Sequence, residues 1–189
     1  MSHRQFEAAR LDITTLGNAT TLSVHTIRKA EWKKLKGLDT LTLEGLSLRW
    51  LSAPDLTMVP FPACLKSFSL WHSSKLKSLA GIEQAVALQD VHLRENGNPL
   101  DLSALAELTS LRVLGIEGGY NTAQQVVDLA PLAGLPIEEL TLIAVDGTDL
   151  DLTPLCDLPN LRKLDISAPS ISPEALKPVA EAHPWFAVG

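Results

Sequence analysis

The chain has 189 residues, 46% of them hydrophobic and only 5% aromatic, and its 16 Lys and Arg against 22 Asp and Glu leave a net charge of −6. That length fits one domain or a short repeat array, and the acidic balance argues against a nucleic-acid binder, which needs clustered cations. No apolar run is long enough to span a bilayer, and the segment from Met1 to Glu7 lacks the apolar stretch of a secretory signal. No membrane partner and a cytoplasmic setting are therefore expected.

Residues 1–36 are expected to form an N-terminal cap. Within them Leu22-Ser23-Val24-His25-Thr26-Ile27 alternates and predicts a strand that extends a sheet as its edge. Ala30 to Leu35 predicts one or two helical turns. The basic cluster Arg28, Lys29, Lys33, Lys34 and Lys36 is interrupted by Glu31 and reads as a solvated helix face.

From residue 37 to 169 one pattern recurs in about six repeats. It runs Leu38…Leu41-x-Leu43, Leu65…Phe68-x-Leu70, Leu88…Val91-x-Leu93, Leu111…Leu114-x-Ile116, Ile137…Leu140-x-Leu142 and Leu161…Leu164-x-Ile166. Taking the first residue of each closing pair, the steps are 27, 23, 23, 26 and 24 residues. Leu-x-Leu alternation turns both leucines to one side of a strand. Before several of these strands stands a second signature: Asp101-Leu102-Ser103-x-Leu105-x-x-Leu108, Asp128-Leu129-Ala130-x-Leu132-x-x-Leu135 and Asp151-Leu152-Thr153-x-Leu155-x-x-Leu158. The fragment Leu76-x-x-Leu79-x-x-Ile82 has the same three-residue step, which suits a tight 3₁₀ turn whose apolar positions share a face. A strand joined to such a turn cannot bury its leucines alone, whereas stacked copies can.

These residues resemble bacterial leucine-rich repeats of the internalin type over about residues 35–167. The resemblance implies an α/β solenoid, a horseshoe with parallel strands on its concave face and short 3₁₀ or irregular segments on its convex face. In function it implies only a class, the binding of protein partners. The asparagine that the family carries three residues past the final leucine survives only at Asn96; its equivalents are Leu46, Ser73, Gly119, Val145 and Pro169. Irregular loops are expected after the strands.

Residues 170–189 are expected to form a C-terminal capping helix and tail. Ser172-Pro173-Glu174 reads as N-cap, first helical residue and early acid. Pro178 predicts a short or kinked element that ends by Pro184. Trp185 and Phe186 either cover the last repeat, the expected arrangement, or form an exposed patch.

The search for chemistry yields no catalytic residue, metal or cofactor. Cys64 and Cys156 fall four rungs apart, roughly 19 Å at about 4.8 Å per strand, too far for a disulfide and consistent with thiols in a reducing compartment. His3, His25, His72, His92 and His183 lack zinc-motif spacing. Gly118-Gly119 reads as a turn, since no helix follows it to make a phosphate loop.

The alternation places Thr42, Ser69, His92, Gly115, Thr141 and Asp165 along the middle of the concave face. One step after lie Glu44, Trp71, Arg94, Glu117, Ile143 and Ser167, and one step before lie Thr40, Ser67, Asp90, Val113, Glu139 and Lys163. Trp71 and Arg94 occupy neighbouring rungs of one column, and Trp and Arg dominate binding hot spots. The candidate partner-binding set is therefore Glu44, Trp71, His92, Arg94, Glu117 and Tyr120. A plainer alternative is that Trp71 stacks on Arg94 and merely covers the sheet. A non-enzymatic protein-binding module is the expected function, and the net charge makes a basic partner the easier one to hold. The alternatives are an immunity or antitoxin protein that neutralises a toxin, and the recognition arm of a larger enzyme.

Overall fold

A computed structural model describes residues 2–146 and 148–186. Eight strands form one parallel sheet in chain order: β1 (His3–Glu7), β2 (Thr21–His25), β3 (Gly45–Arg49), β4 (Ser67–Trp71), β5 (Asp90–Arg94), β6 (Val113–Glu117), β7 (Glu139–Ile143) and β8 (Lys163–Ser167). Each neighbour pairs in strict register, so Leu22, Leu46, Phe68, Val91, Leu114 and Leu140 stand in one column. Every member of that column is 2% exposed or less, and so is the parallel column of Val24, Leu48, Leu70, Leu93, Ile116 and Leu142. The chain is a leucine-rich-repeat solenoid whose core is a stack of aliphatic layers.

The opposite wall consists of 3₁₀ turns, among them Ile82–Gln84, Ser103–Glu107, Ala130–Leu132 and Thr153–Asp157. Their third-residue leucines, Leu105, Leu132 and Leu155, are fully buried, as are Leu76, Leu79 and Ile82. The aspartate that opens each signature starts the turn: Asp101, Asp128 and Asp151 accept hydrogen bonds from the backbone N–H groups of Ser103, Ala130 and Thr153 at 2.8, 2.9 and 2.9 Å. The Ser103 hydroxyl and amide hold the Asp101 carboxyl below its ordinary value, and Thr153 does the same for Asp151.

The first repeat differs from the sequence expectation. The strand is not at Leu41-x-Leu43 but at Leu46-x-Leu48. Leu41 closes the 3₁₀ turn Leu38–Thr40 by donating its N–H to the Leu38 carbonyl, and Leu43 is fully buried. Both pairs satisfy the local pattern; the pairing of Leu22 with Leu46 and Leu46 with Phe68 decides between them. Thr40 and Thr42 therefore leave the concave grid, and Gly45 and Ser47 take their places. Residues 1–36 contribute two rungs of the same sheet: β2 is not the edge, because β1 pairs beyond it. The predicted helical turns there are the 3₁₀ segment Lys29–Leu35.

The strand-to-turn loops are tied by a buried polar chain. The Ser73 hydroxyl accepts from Leu51 N–H, Asn96 Oδ1 accepts from Ser73 N–H, and Gln124 Oε1 accepts from Asn96 N–H, at 3.1, 3.2 and 3.0 Å. Asn96 Nδ2 also donates to the Leu70 carbonyl, and Gln124 Nε2 to the Gly97 carbonyl. Gly119 has no side chain to serve as the next link; the chain makes an excursion over 119–123 and returns Gln124 to the vacated place. Beside Asn96 the backbone packs so closely that a Cβ on Gly97 would lie 1.6 Å from the Leu76 carbonyl oxygen.

At the C-terminal end, α1 (Pro173–Ala182) starts at Ser172, whose hydroxyl accepts from Ala175 N–H at 3.2 Å, and it runs through Pro178. His183 follows, buried, with Nε2 2.9 Å from the Leu155 carbonyl. Phe186 packs on the core while Trp185 stays 47% exposed, so one aromatic covers the last repeat and the other does not. The end of the expected tail, residues 187–189, lies outside the described residues. No described helix is long and apolar enough to cross a membrane.

Candidate partner-binding face

Parallel pairing aligns the last residue of each strand into one outward column: Glu7, His25, Arg49, Trp71, Arg94, Glu117, Ile143 and Ser167. At its centre the Trp71 ring lies between two guanidinium groups, with Arg49 Cζ 4.3 Å and Arg94 Cζ 5.7 Å from its centroid. Arg94 is further held by Glu95 at 3.6 Å and Glu117 at 3.7 Å. Arg49 forms no ion pair among the described residues, and its Nε, like Trp71 Nε1, is buried without an acceptor.

A second column runs beside the first because the chain turns abruptly after the strands. Thr26, Trp50, His72, Glu95 and Ala144 each adopt a left-handed backbone with φ of 57, 53, 56, 51 and 50°. Such a conformation costs a non-glycine residue roughly 1–2 kcal/mol, yet it recurs from rung to rung and so belongs to the repeat. It brings Trp50 and His72 into a stack, centroids 5.8 Å apart at 17°, with His25 6.0 Å from Trp50 on the other side. His72 Nδ1 meets Glu95 Oε2 at 3.2 Å. Trp50 is 49% exposed, which is unusual for the largest apolar side chain.

Of the predicted residues, Trp71, Arg94 and Glu117 come together in one column. His92 sits beside them in the middle column, its ring lying where a Cβ on Gly115 would come within 2.7 Å of Nδ1. Tyr120 is fully exposed on the 119–123 excursion; with Glu95 it lines a groove of about 450 Å³ and does not touch Trp71. Glu44 is not part of the face as expected. It precedes β3, at the other end of the strands, where it pairs with Lys66 at 2.9 Å. Arg49 stands in the place assigned to it. Alternation does not reveal Arg49, Trp50 or Glu95: Arg49 is hidden by the register of β3, the other two because strict alternation ends where the left-handed turn begins.

His92 Nε2 lies 2.9 Å from Asp90 Oδ1. This hydrogen bond raises the His92 pKa above its ordinary 6.5; burial opposes the rise, and the charges of Asp90 and Glu117 add to it. A raised histidine pKa stabilises the fold below the unfolded value, and that contribution disappears as pH climbs through the folded one. Wild type is therefore expected to lose more urea resistance between about pH 6 and pH 8 than His92→Gln does, by a small margin because the ring is 46% exposed. Parallel pH profiles of the two proteins would contradict this. Among the described residues no group of three or more His, Cys, Asp or Glu side chains is placed to hold a metal ion. Cys64 and Cys156 are both unpaired thiols.

No protein-family model and no curated protein sequence matches the chain. Solved structures do. Internalin C2 of Listeria monocytogenes is 23% identical, with a TM-score of 0.56, over 87% of this chain and 69% of that one. An internalin F from the same organism is 19% identical, with a TM-score of 0.51, over 90% of this chain and 55% of that one, so the chain spans about half of its length. The likeness establishes the fold: a leucine-rich-repeat solenoid of the internalin type.

Proposed function

We propose that the chain is a non-enzymatic interaction module that grips a partner protein through the concave face around Trp71. The observation that carries this reading is the double aromatic and cationic column. Trp71 and Trp50, with Arg49, Arg94, His25 and His72, project from a sheet whose buried side is complete without them. Folding asks nothing of a tryptophan there, whereas Trp and Arg at the centre of a contact dominate interface energetics. The stack of Trp71 between Arg49 and Arg94 also serves binding, because it fixes the three side chains before a partner arrives and lowers the ordering cost.

The Trp71–Arg94 contact, on its own a mere cover for the sheet, is real, but it leaves Trp50 exposed and Arg49 without a counter-ion. The face itself presents arginines, so it gives no support to a basic partner, an expectation drawn from net charge alone. The unpaired thiols fit a cytoplasmic setting. The test is affinity capture from the native host lysate with wild type and with Trp71→Ala/Arg94→Ala. A protein retained by wild type and lost by the variant is the expected outcome; equal retention would move the contact to another surface.

A further inference from the structure

A second groove lies outside the concave face, between the 3₁₀ segment Lys29–Leu35 and the loops that follow β3, β4 and β5. Its volume is about 650 Å³, ample for several side chains. Trp32 and Pro54 give it an apolar wall above the buried Leu76, and Lys29, Lys75 and Lys77 also line it. None of these three ammonium groups forms an ion pair or hydrogen bond among the described residues. Lys66, Lys163 and Lys177 pair with Glu44, Glu139 and Glu174, whereas Lys33, Lys34 and Lys36, on or directly after the same 3₁₀ stretch as Lys29, add further unpaired positive charge among the described residues. Trp32 Nε1 is buried and has no acceptor. Three unpaired cations along an apolar wall, on a chain of net charge −6, call for a ligand that carries negative charge.

We propose that this groove binds an acidic peptide segment of a partner protein, one apolar side chain against Trp32 and Pro54 and flanking carboxylates against the lysines. Three lysines on an acidic chain are too few to hold a nucleic acid, whose affinity grows with the number of phosphates neutralised. Lysine also lacks the fork by which arginine grips a phosphate. The apolar lining is wasted on a free inorganic anion. The groove uses residues the concave face does not, so either site can fail without the other.

The test follows the indole N–H resonance of Trp32, assigned by its absence in Trp32→Phe, during titration with a short peptide of glutamates around a central leucine. A saturable shift is expected, weakened at least ~10-fold by Lys75→Glu/Lys77→Glu and left unchanged by Trp71→Ala. Both lysines are exposed, so the reversal leaves the fold intact. The proposal is overturned by no saturable shift, by equal binding of the glutamine counterpart of the peptide, or by indifference to the charge reversal. Saturation as tight with inorganic phosphate, or with a short oligothymidylate, would assign the groove to a small anion or to nucleic acid and overturn it as well.

Discussion

Phe68→Ala is expected to lower the unfolding free energy by about 3–5 kcal/mol. Phe68 is fully buried, and it meets Phe61 edge to face with ring centroids 5.2 Å apart at 86°. Its neighbours in the column, Leu46 and Val91, are fixed by the ladders of β3 and β5, so the space left by the ring cannot close by a side-chain shift. The loss comprises the transferred surface, the residual cavity and the aromatic pair. Domains of this kind hold roughly 5–15 kcal/mol in all, so the variant approaches the limit of folding at body temperature. Urea unfolding followed by far-ultraviolet circular dichroism measures the change. A loss under about 1 kcal/mol would mean that the column is not packed as described.

Asn96→Ala is expected to cost about as much for a different reason. Its side chain accepts from Ser73 N–H and donates to the Leu70 carbonyl, both inside the protein. Truncation leaves the buried Ser73 N–H without an acceptor, at a cost of roughly 1–3 kcal/mol, and takes from the Leu70 carbonyl, a member of the β4–β5 ladder, its side-chain donor. The change acts on the loops that carry His72 and Glu95, so it should also loosen the aromatic column. The expected result is a fall of about 3 kcal/mol in stability, with Gln89→Ala, an exposed substitution, within about 0.5 kcal/mol of wild type. Equal stability of the two variants would show that water replaces the lost bonds and that the polar chain is dispensable.

Much of this architecture is legible in the sequence because a stacked fold repeats its constraints. Leu93, Ile116 and Leu142 are apolar for the same reason in successive rungs, and Asp101 and Asp151 start their turns with the same hydrogen bond. Where the structure departs from the pattern, the causes are local. Around β3 the chain offers two Leu-x-Leu pairs, and only the lateral partner, Leu22 or Phe68, distinguishes them. β1 offers Phe6 as its sole apolar residue, with Arg4 opposite Leu22, so nothing in His3–Glu7 announces a strand. The link at Gln124 is hidden because the 119–123 excursion displaces it from the position where Asn96 has its counterpart.

The candidate face is legible by half for a related reason. Trp71, Arg94 and Glu117 follow from alternation alone. Arg49 follows only from the correct register, which replaces an expected acid, Glu44, with a cation beside Trp71. Trp50, His72 and Glu95 depend on a left-handed residue after the strand, a backbone choice that no side-chain pattern encodes.

Whether Trp71 and its flanking arginines hold a partner is decided by the calorimetric affinity of the captured protein for wild type, Trp71→Ala and Arg49→Ala, each first shown to unfold at the wild-type urea midpoint. Trp71→Ala is expected to weaken binding by at least ~2 kcal/mol, about 30-fold, and Arg49→Ala by a smaller but measurable amount. Unchanged affinity in a folded Trp71→Ala protein would contradict the proposed grip.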